Sequence, residues 1–202
     1  MLIKTYKEKL MHKCTIVTPL GAATATASDN AITGFWFVGQ KYYPDISPDN
    51  WITEEDYPAF QLLRNWVSDY FEGRNTDAAR TLIMDADTYA AAAASTTVVK
   101  LNPQGSDFRK AVWRILLEIP YGQTTTYGDI AKQLAGIKGL SRVSAQAVGG
   151  AVGHNPISLL IPCHRVIGAD GSLTGYAGGI DKKQALLNLE KGITTPGISF
   201  KG

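Results

Sequence analysis

Residues 126–153 read TYGDIAKQLAGIKGLSRVSAQAVGGAVG, and this stretch decides the second half of the molecule. Thr126 stands three residues before Asp129, a capping-box pair able to take up the free N–H groups of a first helical turn. A short helix follows through Ile130, Ala131 and Leu134 to Gly136, which serves as its stop. A second helix is predicted from about Ser141 to Gly153, with Val143, Ala147, Val148, Ala151 and Val152 as its packed side. Two short helices with a tight Gly-containing connection fit a helix-turn-helix. Upstream, Ser106 or Asp107 can cap a helix carrying Phe108, Val112, Ile115 and Leu116, ended by Pro120-Tyr121-Gly122. Downstream, Asn155-Pro156 stops the second helix, and Ile157–Ile161, apolar except for Ser158, fits a buried strand. Asp170-Gly171 is a turn, residues 174–179 are a flexible loop, and Asp181–Lys191 forms a closing helix.

The first half has a different pattern. Cys14–Thr18 and Ala22–Ser28 are rich in small and β-branched residues, Asp29-Asn30 signals a turn, and Ala31–Val38 alternates, so a hairpin or meander is expected. Thr53-Glu54-Glu55-Asp56 reads as a capping box ahead of Tyr57, Phe60, Leu63, Trp66, Val67 and Tyr70, spaced for one helix face, with Gly73 as the stop. Ala90–Ala94 reads as a short helix or a linker. The expected organisation is an α/β domain over residues 1–95 and a mostly α domain over residues 96–202.

Composition narrows the function. At 45% hydrophobic and 19% charged residues, the 202-residue chain can form a real core. No apolar run approaches the roughly 18 residues of a membrane helix, and Met1–Lys13 lacks a signal-peptide core. A cytoplasmic chain is expected, associated with the nucleoid in a bacterium. Cys14 and Cys163 are expected to be free thiols, and with three histidines they make no zinc-site spacing, so no metal is expected. Residues 1–95 hold 8 Lys/Arg against 12 Asp/Glu, whereas residues 96–202 hold 12 against 6. That asymmetry points the second half at a polyanion.

Cys163 follows a buried apolar run and a proline, with His164 and Arg165 directly after it. A thiol reacts as its thiolate, which nearby cationic or imidazole groups favour. Neighbouring residues of a regular strand point to opposite faces, so a Cys–His couple here requires a turn or a bridging water.

Ile161-Pro162-Cys163-His164-Arg165-Val166 resembles the signature of the O6-alkylguanine-DNA alkyltransferases. Ile119-Pro120-Tyr121-Gly122, Thr126-Tyr127-Gly128, residues 147–151, Asn155-Pro156, residues 176–179 and residues 186–190 fall in the same family order. The likeness is close over residues 100–192 and looser through residues 18–21 and 35–37. It implies a ribonuclease-H-like first domain and a winged-helix-like second domain. It also implies irreversible, cofactor-free repair of O6-alkylguanine, and of O4-alkylthymine to some extent, by a monomer docked in the minor groove of duplex DNA. By that resemblance Cys163 is the nucleophile and alkyl acceptor, His164 its base through a water, and Glu190 the residue that orients the imidazole. Asn155 braces the cysteine turn, and Tyr127 hydrogen-bonds the guanine ring. The carbonyls of Cys163 and Val166 read the exocyclic amine, and Tyr176 and Ala177 wall the pocket. Ala145, Gly149 and their small neighbours allow close approach to the duplex. Where the family carries an arginine that fills the gap left by the flipped base, this chain has Gln146, with Arg142 the nearest guanidinium. A non-catalytic lesion-binding protein is the alternative, and Cys163 argues against it. A transcription factor using the helix-turn-helix alone leaves the Cys-His-Arg turn unexplained.

Overall fold

In the computed structural model, which describes residues 10–45, 51–74, 82–84, 98–195 and 197–198, β1 (Met11–Thr18), β2 (Gly21–Ser28) and β3 (Ala31–Phe37) form the expected antiparallel meander. Asp29 and Asn30 both take left-handed backbone, φ 49° and 55°, whose twist suits a two-residue hairpin. A further strand, β4 (Trp51–Thr53), adds parallel to β1, giving the order β3-β2-β1-β4.

That strand corrects the capping box read at residues 53–56. Thr53 pairs with Lys13 in the sheet, and helix α1 (Pro58–Phe71) starts from Tyr57 without a side-chain cap, Pro58 supplying a preset φ in the first turn. Glu54 and Glu55 instead accept from His12 and Arg64. Gly73 ends the helix as expected, with φ 70°. Phe60, Leu63, Trp66, Val67 and Tyr70 of α1 are buried. Two short strands, β5 (Leu82–Ile83) and β6 (Val99–Lys100), pair in parallel, and Leu101 bridges to Ile32. Ala90–Ala94 and the boundary expected near residue 95 lie outside the described residues.

The second half is helical. Ser106 caps α2 (Asp107–Leu117), and Thr126 caps α3 (Tyr127–Lys138) by accepting from the Asp129 amide at 3.1 Å. Helix α3 runs past Gly136 to the left-handed Gly139, because only the latter has a C-cap conformation. Helix α4 (Ala145–Gly153) begins later than predicted, at the cap Ser144, so residues 141–143 belong to the connection. Its packed side is Val148, Ala151 and Val152, while Ala147 is exposed. Trp113 Nε1 donates to the Ala151 carbonyl at 2.9 Å and ties α2 to α4.

Ile157–Ile161 is not a strand, although Ile157 makes one parallel bridge to Phe35. The ladder stops there because the chain bonds to itself: Leu160 N–H to Ser158 O, Ile161 N–H to Ile157 O, with Leu159 left-handed at φ 70°. A bulky residue in that region is costly and persists only where surroundings dictate it. Cys163–Arg165 follow as one 3-10 turn, then β8 (Val166–Ile167) pairs with β7 (Thr125–Thr126), and α5 (Ile180–Glu190) closes the chain's helical part. Side chains from both halves, among them Phe35, Phe37, Tyr70, Trp113, Leu116 and Cys163, share one core.

Candidate active site

Asn155 explains the turn that presents Cys163. Its Oδ1 accepts from the Ile157 amide at 2.9 Å, and its Nδ2 donates to the Ile161 carbonyl at 2.8 Å and to Cys163 Sγ at 3.1 Å. One buried amide thus replaces ladder partners and aims a donor at the sulfur. Burial dominates the thiol and pushes it up to about 11, against the opposing pull of Asn155 and Lys183. This departs from the expectation of a thiol lowered by its neighbours. At rest Cys163 is protonated, so its proton must leave as the reaction proceeds.

The group that can take it adjoins. His164 is fully buried, and burial lowers its pKa below the ordinary histidine value despite Glu190. The imidazole is therefore neutral. Its Nε2 lies 2.7 Å from Glu190 Oε1, while Nδ1 has no hydrogen-bond partner among the described residues. With Glu190 ionised, Nε2 carries the proton and Nδ1 keeps a lone pair, the state of a base.

Glu190 is saturated with donors. Tyr70 donates to Oε1 at 2.6 Å, Arg165 donates to both oxygens at 2.8–3.1 Å, and Gly122 N–H donates to Oε2 at 3.0 Å. Burial alone would raise this carboxyl, but His164 and Arg165 outweigh it and hold it well below the usual range. Gly122 sits at φ 77° with its Cα facing the Glu190 main chain, where a Cβ would come within 3.0 Å of the carbonyl oxygen. The Pro120-Tyr121-Gly122 turn therefore delivers an N–H to the carboxylate rather than merely ending a helix. Tyr70, Arg165 and Gly122 were not singled out by sequence as site residues. Arg165 could have been, since its position beside the Cys-His pair was visible.

Of the remaining candidates, Val166, Tyr127 and Tyr176 adjoin this centre. Val166 is buried, and its carbonyl accepts from Lys183 Nζ at 2.6 Å; the Cys163 carbonyl accepts from the Val166 amide. Lys183 also donates to Thr174 O at 2.8 Å and is fully buried, which lowers it to about 8. Tyr127 is half-buried, and its hydroxyl donates to the Thr174 carbonyl at 3.1 Å. Tyr176 is buried edge-on to His164, ring centres 6.4 Å apart. Ala177 accepts from the Lys41 amide of the sheet half, and with Gly149, Gly150, Gly175 and Tyr176 it lines a groove of about 210 Å³ beside α4. Ala145 and Gln146 are exposed at the start of α4. Arg142 is exposed in the connection, beside Lys132 and Gly136 of α3. A helix starting at Ser141 would have placed it one turn before Gln146, but α4 starts only at Ala145, so Arg142 lies off the helix.

A buried thiol, a histidine and a carboxylate in one network, in the same helical half as a helix-turn-helix, define a class: DNA-binding-type scaffolds built around a buried cysteine. Comparison with known proteins narrows it. Residues 107–192 match the model of the 6-O-methylguanine DNA methyltransferase DNA-binding domain. The methylated-DNA–protein-cysteine methyltransferase of Mycobacterium tuberculosis is 41% identical over 182 residues, 90% of this chain and 93% of that one. The protein of that name from Haemophilus influenzae is 34% identical over 86% of this chain and 83% of its own. Among solved structures, the crystal structure of Mycobacterium tuberculosis OGT in complex with DNA superposes with a TM-score of 0.73 at 38% identity, covering 90% of this chain and 93% of that chain. The chain belongs to the methylated-DNA–protein-cysteine methyltransferase family.

Proposed function

We propose that this protein repairs O6-alkylguanine in DNA, with O4-alkylthymine as a second candidate substrate, by moving the alkyl group onto Cys163. The observation that carries the reading is the buried Cys163, held by Asn155 at 3.1 Å, next to His164, whose Nε2 is taken by Glu190 at 2.7 Å and whose Nδ1 has no hydrogen-bond partner among the described residues. The thiol proton passes through a water to His164 Nδ1, and Glu190 stabilises the imidazolium that forms. The sulfur then forms a bond to the alkyl carbon as the O6–carbon bond breaks. The released electron pair goes to the purine, which takes up, by relay through water, the one proton that the thiol gave to His164 and leaves as guanine, returning His164 to its neutral form. Tyr127 supports that departure if its hydroxyl turns from Thr174 O to the ring. A thioether offers no leaving group that another thiol could displace, so each molecule acts once.

The lesion must leave the duplex to reach a buried sulfur, at a cost of a few kcal/mol. We infer docking of α4 in the minor groove by a monomer, with Ala145, Gly149 and the other small residues allowing close approach. The β3-β2-β1-β4 order supports a ribonuclease-H-like first part, and the α3–α4 pair with the short β7–β8 pairing supports a winged-helix-like second part.

Intact-protein mass spectrometry after incubation with excess O6-methylguanine duplex tests the reaction. One methyl per chain is expected, on Cys163. Cys14 should stay unmodified, because it is buried in β1 and takes no part in the His164–Glu190 network. Methyl on Cys14, or repeated turnover, overturns the mechanism.

Gap filling is tested separately. Gln146 is the helix-borne candidate, and an uncharged amide holds the orphaned base less well than a guanidinium would. Gln146→Arg should speed single-turnover transfer on duplex about five-fold, the worth of about 1 kcal/mol from a charge-assisted bond. On single strands it should change little. Arg142→Ala, off the helix, should leave the duplex-to-single-strand rate ratio unchanged. An unchanged ratio in Gln146→Arg removes Gln146 from the flipping step.

A further inference from the structure

Tyr70 comes from α1 in the sheet half, yet its hydroxyl reaches the transfer centre. It donates to Glu190 Oε1 at 2.6 Å and lies 3.4 Å from His164 Nε2. The ring is fixed on three sides: stacked on Trp66 at 5.3 Å, edge-on to Phe71 at 5.3 Å and edge-on to Tyr121 at 5.8 Å. Only 1% of the side chain is exposed, so the hydroxyl has no competing solvent. We propose that Tyr70 is a positioning residue for alkyl transfer, setting through Glu190 how strongly the carboxylate draws a proton onto His164. The proposal rests on the reading of Cys163 and His164 given above.

The physical argument concerns one oxygen with several donors. Glu190 Oε1 receives Tyr70, His164 Nε2 and Arg165. Each donor takes a share of the carboxylate's charge, and what remains stabilises an imidazolium. Too much residual charge would leave His164 protonated at rest and useless as a base. Too little would make it unable to receive the thiol proton. Tyr70 is suited to the moderating role because it stays protonated: burial, then the Glu190 charge, raises its hydroxyl well above the ordinary tyrosine range. It is therefore a permanent neutral donor, unlike a second cation, which would repel the imidazolium outright. The other groups facing the pair are Arg165 and Cys163 of the 3-10 turn, Lys183 of α5, Tyr121 of the turn after α2, and Tyr176 of the pocket loop. Of these, the hydroxyls of Tyr121 and Tyr176 have no hydrogen-bond partner among the described residues, so the one tyrosine that donates to Glu190 there is Tyr70. The arrangement also gives the sheet half a part in the chemistry: α1 anchors one corner of a centre otherwise built by residues 119–190.

Tyr70→Phe keeps the ring and its packing and removes only the hydroxyl. Two readouts are needed: the pH profile of single-turnover transfer from O6-methylguanine duplex, and the His164 imidazole titration by nitrogen NMR in the unreacted protein. With one donor gone, more charge faces His164, the imidazolium is favoured, and the acid limb and the NMR titration should both move to higher pH. Transfer near neutral pH should fall by up to about ten-fold, the scale of one hydrogen bond to a charged group. If both titrations stay where they are, whatever happens to the rate, Tyr70 is packing only and the proposal fails. In the unaltered protein the Tyr70 hydroxyl proton should be slow to exchange and show a cross-peak to the His164 ring; its absence overturns the proposal without any variant. Failure of the unaltered chain to methylate Cys163 would instead refute the functional reading, while the NMR titrations still decide whether Tyr70 tunes His164.

Discussion

Cys163→Ser is expected to abolish alkyl transfer while leaving duplex affinity within about two-fold of the original, since sequence-independent DNA affinity in general comes chiefly from phosphate contacts, which a buried cysteine does not make. The size of the first effect follows from the site. A thiol, even one raised to about 11, gives its proton to a neutral histidine far more readily than a serine hydroxyl does, because the hydroxyl is several orders of magnitude less acidic. An oxygen is also a poorer nucleophile toward an alkyl carbon than sulfur. The second effect follows from Asn155: its Nδ2 can donate to a serine hydroxyl much as it does to Sγ, so the turn that supports the pocket should persist. A transfer assay beside a gel shift gives both numbers. Equal loss of transfer and binding would mean that the cysteine is structural.

How far the sequence disclosed this site depends on how local each feature is. Ser106, Thr126 and the β2–β3 turn act within a few residues, and all appear where the pattern placed them. The strand read at 157–161 failed because its apolar run meant burial without a ladder: Asn155 and the left-handed Leu159 fold the chain on itself. The capping box at 53–56 failed because Thr53 is claimed by β1, forty residues away in sequence. The start of α4 was misplaced because Ser141 and Ser144 are both plausible caps, and the amide of Ala147 selects the second. Cys163, His164 and Glu190 were legible through a motif, not through spacing, since 26 residues separate His164 from its carboxylate. Tyr70, 120 residues from Glu190, carried no local signal beyond a place on an apolar helix face, where a tyrosine is ordinarily packing.

Glu190→Ala should have the second large effect, and on two properties at once. Arg165 is buried, 1% exposed, and spends Nε and one terminal nitrogen on this carboxylate, the other going to the Ile119 carbonyl at 2.7 Å. Removing one partner of a buried pair leaves a charge without compensation, which costs about 3–5 kcal/mol. Tyr70 and the Gly122 amide lose their acceptor too. Denaturant midpoints at neutral pH should fall accordingly, and transfer by about a hundred-fold or more, because His164 loses the group that fixes its tautomer and steadies its imidazolium. Glu190→Gln is no rescue: its amide nitrogen would face Arg165 or Gly122, donor against donor. The unaltered protein should show the same dependence through pH. His164 and Glu190 both bind protons more weakly folded than unfolded, so each contributes stability that is present above its ordinary value and lost on acidification. The decline should begin below about pH 6.5, where an unfolded histidine charges. It should steepen below about pH 4.5, where an unfolded glutamate does. Glu190→Gln should retain the first decline in altered form and lose its share of the second. If both variants unfold at the original midpoint with an unchanged acid limb, the carboxylate is not the centre of the network that the geometry describes.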